Sequence, residues 1–323
     1  MITRRTCLTA LGLVIAAPAT AASQRPPGPR VVLLGSALPE DQMRAFEDQL
    51  RALQQAGSAE VVVERLSAGE REDALPMLAR DAVARAPRVI VAVGTKAALS
   101  ARQATKTIPI VTVSGDVVAA GIVKNLGRPE ANVTGLSFLT VDMALKRFEV
   151  LLELDPRIRR LVVMGSGRPT PSVQRALATL SEAARTKSVE IRALAVGRSD
   201  EVKGLLAKLP SGPEDGVLIL PNPDFDARAA EIGRLTADYR LVAALPWKQY
   251  VEAGGLFSYA PDLVALWRQA SAYVDRILRG ARPSDLPIEQ PTKFELVINV
   301  KTARLLNLAV APSLLVRADH VID

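Results

Sequence analysis

The chain of 323 residues carries 41 Lys and Arg against 34 Asp and Glu, a net charge of +7, and 49% of its residues are hydrophobic. This length exceeds one minimal core and suits two domains, while the composition excludes disordered and collagen-like proteins. The basic residues are scattered, without blocks of like charge or interleaved aromatic and basic residues. The positive charge therefore predicts a solvated surface and no nucleic-acid partner.

The first residues have the pattern of an export signal. Arg4 and Arg5 form a twin-arginine pair, and an apolar run over 8–17 leads to small residues ending at Ala21. A run of about ten residues is too short to cross ~30 Å of hydrocarbon, which disfavours a membrane anchor. We therefore expect a signal peptide over 1–21, cleaved after Ala21 or the next residue, and export to the periplasm by the twin-arginine or the Sec route.

The rest of the chain offers little nucleophilic or metal-binding chemistry. Its single cysteine, Cys7, lies within the expected signal, so the mature protein would contain no disulfide and no thiolate site. Its single histidine, His320, follows Asp319 near the end, which is typical of a surface pair. We expect no metal, no cofactor and no Ser-His or Cys-His catalytic arrangement.

From residue 30 the chain alternates strand-like and helix-like segments with short connections, a pattern typical of βαβ units and parallel sheets. The first series has strands at 30–35, 60–64, 88–93 and 109–113 and helices at 40–56, 70–86 and 95–105. The second series has helices at 141–154, 172–187, 201–209 and 226–239 and strands at 160–164, 190–196, 216–220 and 241–244. The change between the two series falls near 133–140.

The last part of the chain is less regular. Residues 257–262 lead into an amphipathic helix that ends near Leu278, followed by a strand at 294–299 and a short helix at 300–306. These pieces are too small to form a domain, so they must complete the two earlier series. This organisation implies that the chain crosses several times between two lobes. Lobes joined in this way usually close on a ligand by a hinge.

Polar residues follow the predicted strand ends, where ligands of open α/β sheets bind. Gly94 and Thr95 open a helix whose free N–H groups suit a carboxylate, or they form only a turn and an N-cap. Asp116 suits a ligand ammonium or hydroxyl group, or it is a loop residue or a cap. Asn222 offers both a donor and an acceptor, with a structural turn as the alternative.

Aromatic residues make up only 4% of the chain. Trp247 and Tyr250, after a strand, suit stacking on a ligand or cation–π attraction, and packing in the core or between the lobes is the alternative for each. Trp267 and Tyr273 lie within the predicted amphipathic helix and are interpreted as packing residues.

At these residues the chain resembles the ABC-importer substrate-binding proteins of the tryptophan/tyrosine type. The resemblance runs from about residue 30 to the end, with three departures. Val117 stands where the family usually has proline, the loop after Gly35 is short, and residues 54–58 replace the family's usual Gly-Tyr region near the end of the first helix. The matching stretches are 91–98, 107–111, 116–121, 132–136, 251–262, 286–299 and 312–319.

The resemblance implies an α/β fold of two lobes, the type I periplasmic-binding fold, with each lobe a parallel sheet flanked by helices and with three crossovers. Lobe 1 would comprise 30–136 with about 260–288, and lobe 2 would comprise 137–259 with about 289–323. The protein would be a monomeric periplasmic receptor without enzymatic activity. It would capture a small carboxylate-bearing, amino-acid-like ligand, aromatic ones included, for an ABC permease and its ATPase.

The strand ends predict two walls of a ligand-binding cleft. One wall would carry Ser36, Gly94, Thr95, Ser114 and Asp116, and the other would carry Ser166, Asn222, Trp247 and Tyr259. Two further hypotheses stay open. The protein could be a periplasmic sensor whose closed form binds a receptor, or an α/β enzyme that uses carboxylates in the same cleft.

Overall fold

The computed structural model describes residues 28–54, 60–69, 71–129 and 132–323. The predicted export signal and its cleavage at Ala21 lie outside these residues and stay predictions. Within the described ranges, none of the helices combines the length and the apolar character that crossing a membrane requires.

The strands and helices alternate along most of the chain. The strands are β1 (Arg30–Gly35), β2 (Val62–Ser67), β3 (Val89–Val93), β4 (Ile110–Ser114), β5 (Val133–Ser137), β6 (Arg160–Ser166), β7 (Glu190–Val196), β8 (Asp215–Ile219), β9 (Ala243–Leu245), β10 (Phe257–Pro261), β11 (Phe294–Asn299) and β12 (His320–Ile322). The helices are α1 (Glu40–Leu53), α2 (Leu75–Ala84), α3 (Thr95–Ala104), α4 (Thr140–Leu154), α5 (Pro171–Thr186), α6 (Val202–Leu206), α7 (Pro223–Asp226), α8 (Ala229–Asp238), α9 (Lys248–Glu252), α10 (Leu263–Leu278), α11 (Val300–Leu305) and α12 (Pro312–Arg317).

The first sheet is parallel throughout and has the order β2-β1-β3-β4-β5. Successive side chains of a strand point to opposite faces, so Val31 and Leu33 pack on one face and Val32 and Leu34 on the other. Helices α1 and α10 cover the first face, and α2 and α3 cover the second. Covering both faces explains why β1 and β3 are continuous apolar runs instead of alternating ones.

The second sheet has the order β12-β11-β10-β9-β8-β6-β7 and is parallel except for the β10–β11 pair. Helices α4, α5, α11 and α12 contribute to the core on one face. Helices α6 to α9 contribute to the core on the other. We call the first sheet with its covering helices α1, α2, α3 and α10 the first lobe, and the second sheet with the remaining helices the second lobe.

The chain passes between the two lobes three times: after β5, between β10 and α10, and between α10 and β11. On the last passage Glu289 forms a parallel bridge with Leu136 of β5. Helix α10 returns to the first lobe, where the Trp267 indole N–H donates to Gln42 Oε1 at 2.9 Å and Ser271 Oγ donates to Phe46 O at 2.8 Å. The predicted α/β fold of two sheets flanked by helices is confirmed. The lobe boundaries expected from the resemblance stay a prediction.

Several local predictions were wrong. Residues 133–137 form β5, where we expected only the connection between the two series of strands and helices. Residues 257–261 form β10, where we expected a loop before a helix. The strand expected at 60–64 lies at Val62–Ser67, and the helix expected at 226–239 begins three residues later, at Ala229 of α8, after the separate short helix α7. Helices α9 and α12 and strand β12 were not anticipated.

His320 does not pair with its neighbour Asp319. The exposed His320 Nε2 lies 3.8 Å from Glu295 Oε1, on the adjacent strand β11. Asp319 Oδ2 instead accepts a hydrogen bond from Leu296 N at 2.8 Å, which ties the chain end to β11.

Candidate functional site

A cavity of about 140 Å³ lies between the carboxyl edges of the two sheets. An apolar cavity of about 150 Å³ accommodates benzene, so this space suits a small ring-bearing molecule. Seven of the nine residues predicted for the cleft line this cavity: Ser36, Gly94, Thr95, Ser114, Ser166, Asn222 and Trp247. The common placement follows from topology, because the carboxyl ends of parallel strands meet at one edge of each sheet.

The wall of the first lobe is built from backbone and short side chains after β1, β3 and β4. Gly94 adopts a left-handed φ of +87° between β3 and α3, and its N–H donates to Val113 O at 2.9 Å. A Cβ at Gly94 would lie 3.7 Å from Pro223 Cγ of the second lobe, so the lobes approach each other closely here. Lys96, at the start of α3, forms an ion pair with Glu72 on the same wall.

Three helix N-termini converge around Gly115, just after β4. A Cβ at this glycine would lie 2.9 Å from Thr140 Oγ1, 3.3 Å from Ser172 Oγ and 3.4 Å from Thr95 Oγ1. These hydroxyls belong to the first turns of α4, α5 and α3, and all three residues line the cavity. The free N–H groups of a first helical turn and the positive end of the helix dipole favour an anion, so this corner has the chemistry of a carboxylate subsite.

The wall of the second lobe is larger and more varied in its side chains. Asn222, after β8, caps α7 through Oδ1, which accepts from Asp224 N at 2.8 Å. Trp247, after β9, is 5% exposed and packs edge-on against Phe138, with ring centroids 5.7 Å apart. Because Phe138 lies on the first crossing between the lobes and also lines the cavity, this aromatic pair joins the hinge region to the site.

Asp116 and Tyr259 do not line the cavity. Asp116 Oδ1 accepts hydrogen bonds from Val118 N at 3.1 Å and Ala119 N at 3.0 Å, so its side chain caps the turn that follows β4. Tyr259 lies in β10 and stacks on Phe294 of β11, with ring centroids 5.8 Å apart. Both side chains are therefore engaged in local structure away from the cleft.

Asp226 and Arg147, two members of a polar cluster in the second lobe, were not anticipated from the sequence, whereas the third member, Tyr250, was considered for ligand stacking or packing. Asp226, at the end of α7, lines the cavity, and its Oδ1 accepts a hydrogen bond from Tyr250 Oη at 2.7 Å. Arg147 of α4 is 1% exposed and lies behind Asp226. An arginine among the buried positions of an amphipathic helix was the available signal, because such a charge is costly without a partner.

The charges of this cluster influence one another. Burial raises the pKa of Asp226 from its ordinary value to about 7, while Tyr250, the nearby Trp247 indole and Arg147 act in the opposite direction. Burial lowers the pKa of Arg147 to about 10, so this guanidinium stays charged at neutral pH. Burial, together with Asp226, raises the pKa of Tyr250 well above its usual value, so its hydroxyl remains a donor.

One more aromatic side chain and one basic side chain also line the cavity. Trp267 was interpreted as a packing residue; it does pack against Phe46, with ring centroids 6.1 Å apart, but it also reaches the cavity. Arg168, after β6, is exposed at the second wall. In the described ranges, no group of three or more His, Cys, Asp or Glu side chains is arranged to hold a metal ion.

The family model for ABC transporter substrate binding proteins matches residues 41–322. The chain belongs to this family. The resemblance inferred from the sequence is thereby confirmed, and so is the role of substrate-binding component that the family model describes.

Known proteins agree with this assignment. A tyrosine-binding protein of Clostridioides difficile (strain R20291) is 27% identical over 224 residues, which is 68% of this chain and 63% of that protein, so less than two thirds of the relative is matched. The crystal structure of an ABC domain in complex with L-Trp from Streptococcus pneumonia is 20% identical, with 91% of this chain and 100% of that chain covered and a TM-score of 0.79. A conserved domain protein from Vibrio cholerae is 23% identical over 91% of this chain and 99% of that one, with a TM-score of 0.82.

Proposed function

We propose that the protein captures a small carboxylate-bearing, amino-acid-like ligand, aromatic amino acids included, in the cleft between its lobes and releases it to an ABC permease and its ATPase. The observation that carries this proposal is the cavity of about 140 Å³ with one hydroxyl-lined corner and an aromatic remainder. No chemical conversion of the ligand is part of the proposal.

The carboxylate is assigned to the corner around Gly115. Hydroxyls of Thr95, Thr140 and Ser172 lie within 3.4 Å of the Cβ position of this glycine, and each belongs to the first turn of a different helix. Such donors are fixed by the fold, so they bind an anion without an ordering cost. Because α3 comes from the first lobe and α4 and α5 from the second, a carboxylate here would favour the closed arrangement.

The remainder of the ligand is assigned to the apolar part of the cavity. Trp247, Trp267 and Phe138 contribute rings, and Leu75 and Leu263 contribute aliphatic surface. Pockets of this kind, mostly apolar with a few fixed polar groups, are typical of small-molecule sites. The relatives named as tyrosine-binding and as bound to L-Trp support an aromatic amino acid as the first ligand class to test.

The cellular setting is part of the same proposal. A twin-arginine or Sec signal over 1–21 would place the mature chain in the periplasm as a monomer, next to its permease. Support comes from Arg4, Arg5 and the apolar run that follows them in the sequence. Expression of the full chain with N-terminal sequencing of the exported form tests the cleavage at Ala21 directly.

The test of the ligand class is a thermal-shift screen of the purified protein, followed by calorimetry, with L-tryptophan, L-tyrosine, L-phenylalanine, aromatic acids, purines and sugars. We expect the melting temperature to rise with one or more aromatic amino acids and not with sugars. A bound ligand present at 100 times its Kd stabilises the native state by about 2.7 kcal/mol, which the screen detects easily. Stabilisation by none of the amino acids or aromatic acids would refute the proposed ligand class.

A further inference from the structure

The second lobe holds a cationic group directly behind the cleft wall. Arg147 is 1% exposed; its Nε donates to Met143 O at 3.2 Å and its Nη1 to Ile219 O at 3.3 Å. Its Nη2 finds no hydrogen-bond partner among the described residues, and no carboxylate there lies within ion-pair distance. A buried guanidinium held only by carbonyl groups needs a negative charge nearby, and the acidic group that acts on it is Asp226.

Asp226 is held in place by neighbours on other elements. Tyr250 Oη of α9 donates to its Oδ1 at 2.7 Å. Tyr250 and the buried Trp247 indole N–H both lower the pKa of Asp226 and so favour its ionised form. The indole N–H forms no hydrogen bond of standard geometry. With one oxygen engaged by Tyr250 and with the residue lining the cavity, Asp226 presents a preorganised carboxylate to whatever occupies the cleft.

The charges that line the cleft divide into paired and unpaired groups. Glu72 is already neutralised by Lys96 on the first-lobe wall. Asp226 is the lining carboxylate for which the described residues supply no Lys or Arg within ion-pair distance. Arg168 is the corresponding cation on the exposed rim. The half-buried Asp226 on the second wall is therefore the group in the cavity that can receive a positive charge.

We propose that Asp226 recognises the ammonium group of the ligand, with Arg147 as a positioning residue behind it. This inference rests on the proposed function, because it assigns the second charged end of the same amino-acid-like ligand. The ligand would lie with its carboxylate at the Gly115 corner and its ammonium at α7. Its two charged groups would therefore bind at different corners of one cavity. Molecules that carry the same ring and carboxylate without the ammonium would bind more weakly, because the half-buried Asp226 would lose contact with water without gaining a cationic partner.

Ammonium recognition by this carboxylate makes binding depend on pH. The groups that act on Asp226 are Arg147 from α4, Tyr250 from α9 and Asp224 from its own helix, with the Lys96–Glu72 pair on the opposite wall. Because the pKa of free Asp226 is about 7, half of the carboxylates are protonated at that pH and must lose the proton when the ammonium binds. Affinity for the amino acid should therefore rise about twentyfold between pH 5.5 and 7.5, and then level off.

The experiment compares two pairs of probes on the wild type, Asp226→Asn and the control Asp238→Asn, which lies at an exposed position of α8. The probes are L-tryptophan with indole-3-propionate and L-tyrosine with 3-(4-hydroxyphenyl)propionate, each pair differing in the ammonium group. The wild type and the Asp238→Asn control should prefer the amino acids, while Asp226→Asn should weaken their binding at least thirtyfold and lose the preference. Retention of the preference by a folded Asp226→Asn protein would overturn the inference.

A measurement on the wild type alone covers the case in which Asp226→Asn does not fold. Calorimetry at pH 6.5 in buffers of different ionisation enthalpy should show release of about three-quarters of a proton with the amino acid and none with the deaminated acid. Equal proton release for both probes would also overturn the assignment to Asp226. If the wild type binds none of the four probes, the proposed ligand class fails instead, which separates the two outcomes.

Discussion

The two walls of the cleft are built on different physical principles. The first-lobe wall uses glycines, serines and helix N-termini, whose positions are set by the backbone. The second-lobe wall uses Asn222, Asp226 and Trp247, which are held by a buried network that includes Arg147 and Tyr250. Under the proposed function, the first wall would control how closely the lobes approach, and the second would select the charge and the shape of the ligand.

The largest effect is expected on the second wall from Trp247→Ala. The substitution removes a 5% exposed ring that packs against Phe138, and loss of a buried aromatic side chain costs about 3–5 kcal/mol. Denaturant unfolding should show this loss in the free energy of unfolding, with weaker ligand binding as well. Trp247→Phe is the matched control, since it keeps a ring beside Phe138. A loss below about 1 kcal/mol for Trp247→Ala would show that the ring is not part of the second-lobe core.

The first wall is tested by Gly115→Ala. The new methyl group would lie 2.9 Å from Thr140 Oγ1, so the lobes or the hydroxyl must move apart. Overpacking of this kind costs about 1–3 kcal/mol, which corresponds to at least about a fivefold loss of affinity if the strain falls on the closed form. Calorimetry measures the loss, and Gly127→Ala, which places its methyl group in open space, should bind normally. Normal affinity of Gly115→Ala would contradict the role of this corner in closure.

A smaller change is expected from Asn222→Ala. Without the Asn222 side chain, Asp224 N at the start of α7 loses its hydrogen-bond partner. Loss of such a helix cap costs about 0.5–2 kcal/mol of stability. Because α7 carries Asp226, the preference for an amino acid over its deaminated analogue should also decrease. Asn222→Ser keeps a capping hydroxyl and should retain most of that preference; equal losses in both variants would mean that Asn222 acts through the ligand and not through the cap.

The smallest effect is expected from Arg147→Met, read as a pH profile. Removing the guanidinium takes away a charge that lowers the pKa of Asp226, so this pKa should rise further above about 7. Binding of an amino acid should then require a higher pH, with a midpoint shift of about 0.5 unit, or about 0.7 kcal/mol. Arg268→Met, at an exposed position of α10, is the control. An unchanged midpoint would show that Arg147 does not act on the carboxylate.

The sequence predicted the alternation of strands and helices well because both sheets are covered on both faces. β8 is buried throughout and β3 is buried up to the half-buried Val93, and the polar residues that follow these strands mark the carboxyl edge. Strands β5 and β10 escaped prediction because Gly135 interrupts one and Pro261 ends the other, and both residues are typical of loops. These strands nevertheless lie at the crossings between the lobes.

The errors at the site have a related cause. Asp116 was placed in the cleft because it follows a strand, but β4 ends two residues earlier and the side chain caps the next turn. Tyr259 was placed there without a strand, so its face could not be assigned; in β10 it stacks on Phe294. Asp226 and Arg147 were missed because their electrostatic interaction joins α7 to α4 across 79 residues of sequence, which no local pattern reports.

Helix α10 has a consequence for how the molecule is made. Met43 and Phe46 on the inner side of α1 share their core with Trp267 and Tyr273, which follow more than 200 residues later. A nascent or truncated chain that stops before residue 262 would leave that apolar surface open to water and to chaperones. The amino-terminal half should therefore mature late, after the carboxyl-terminal part of the polypeptide has been synthesised.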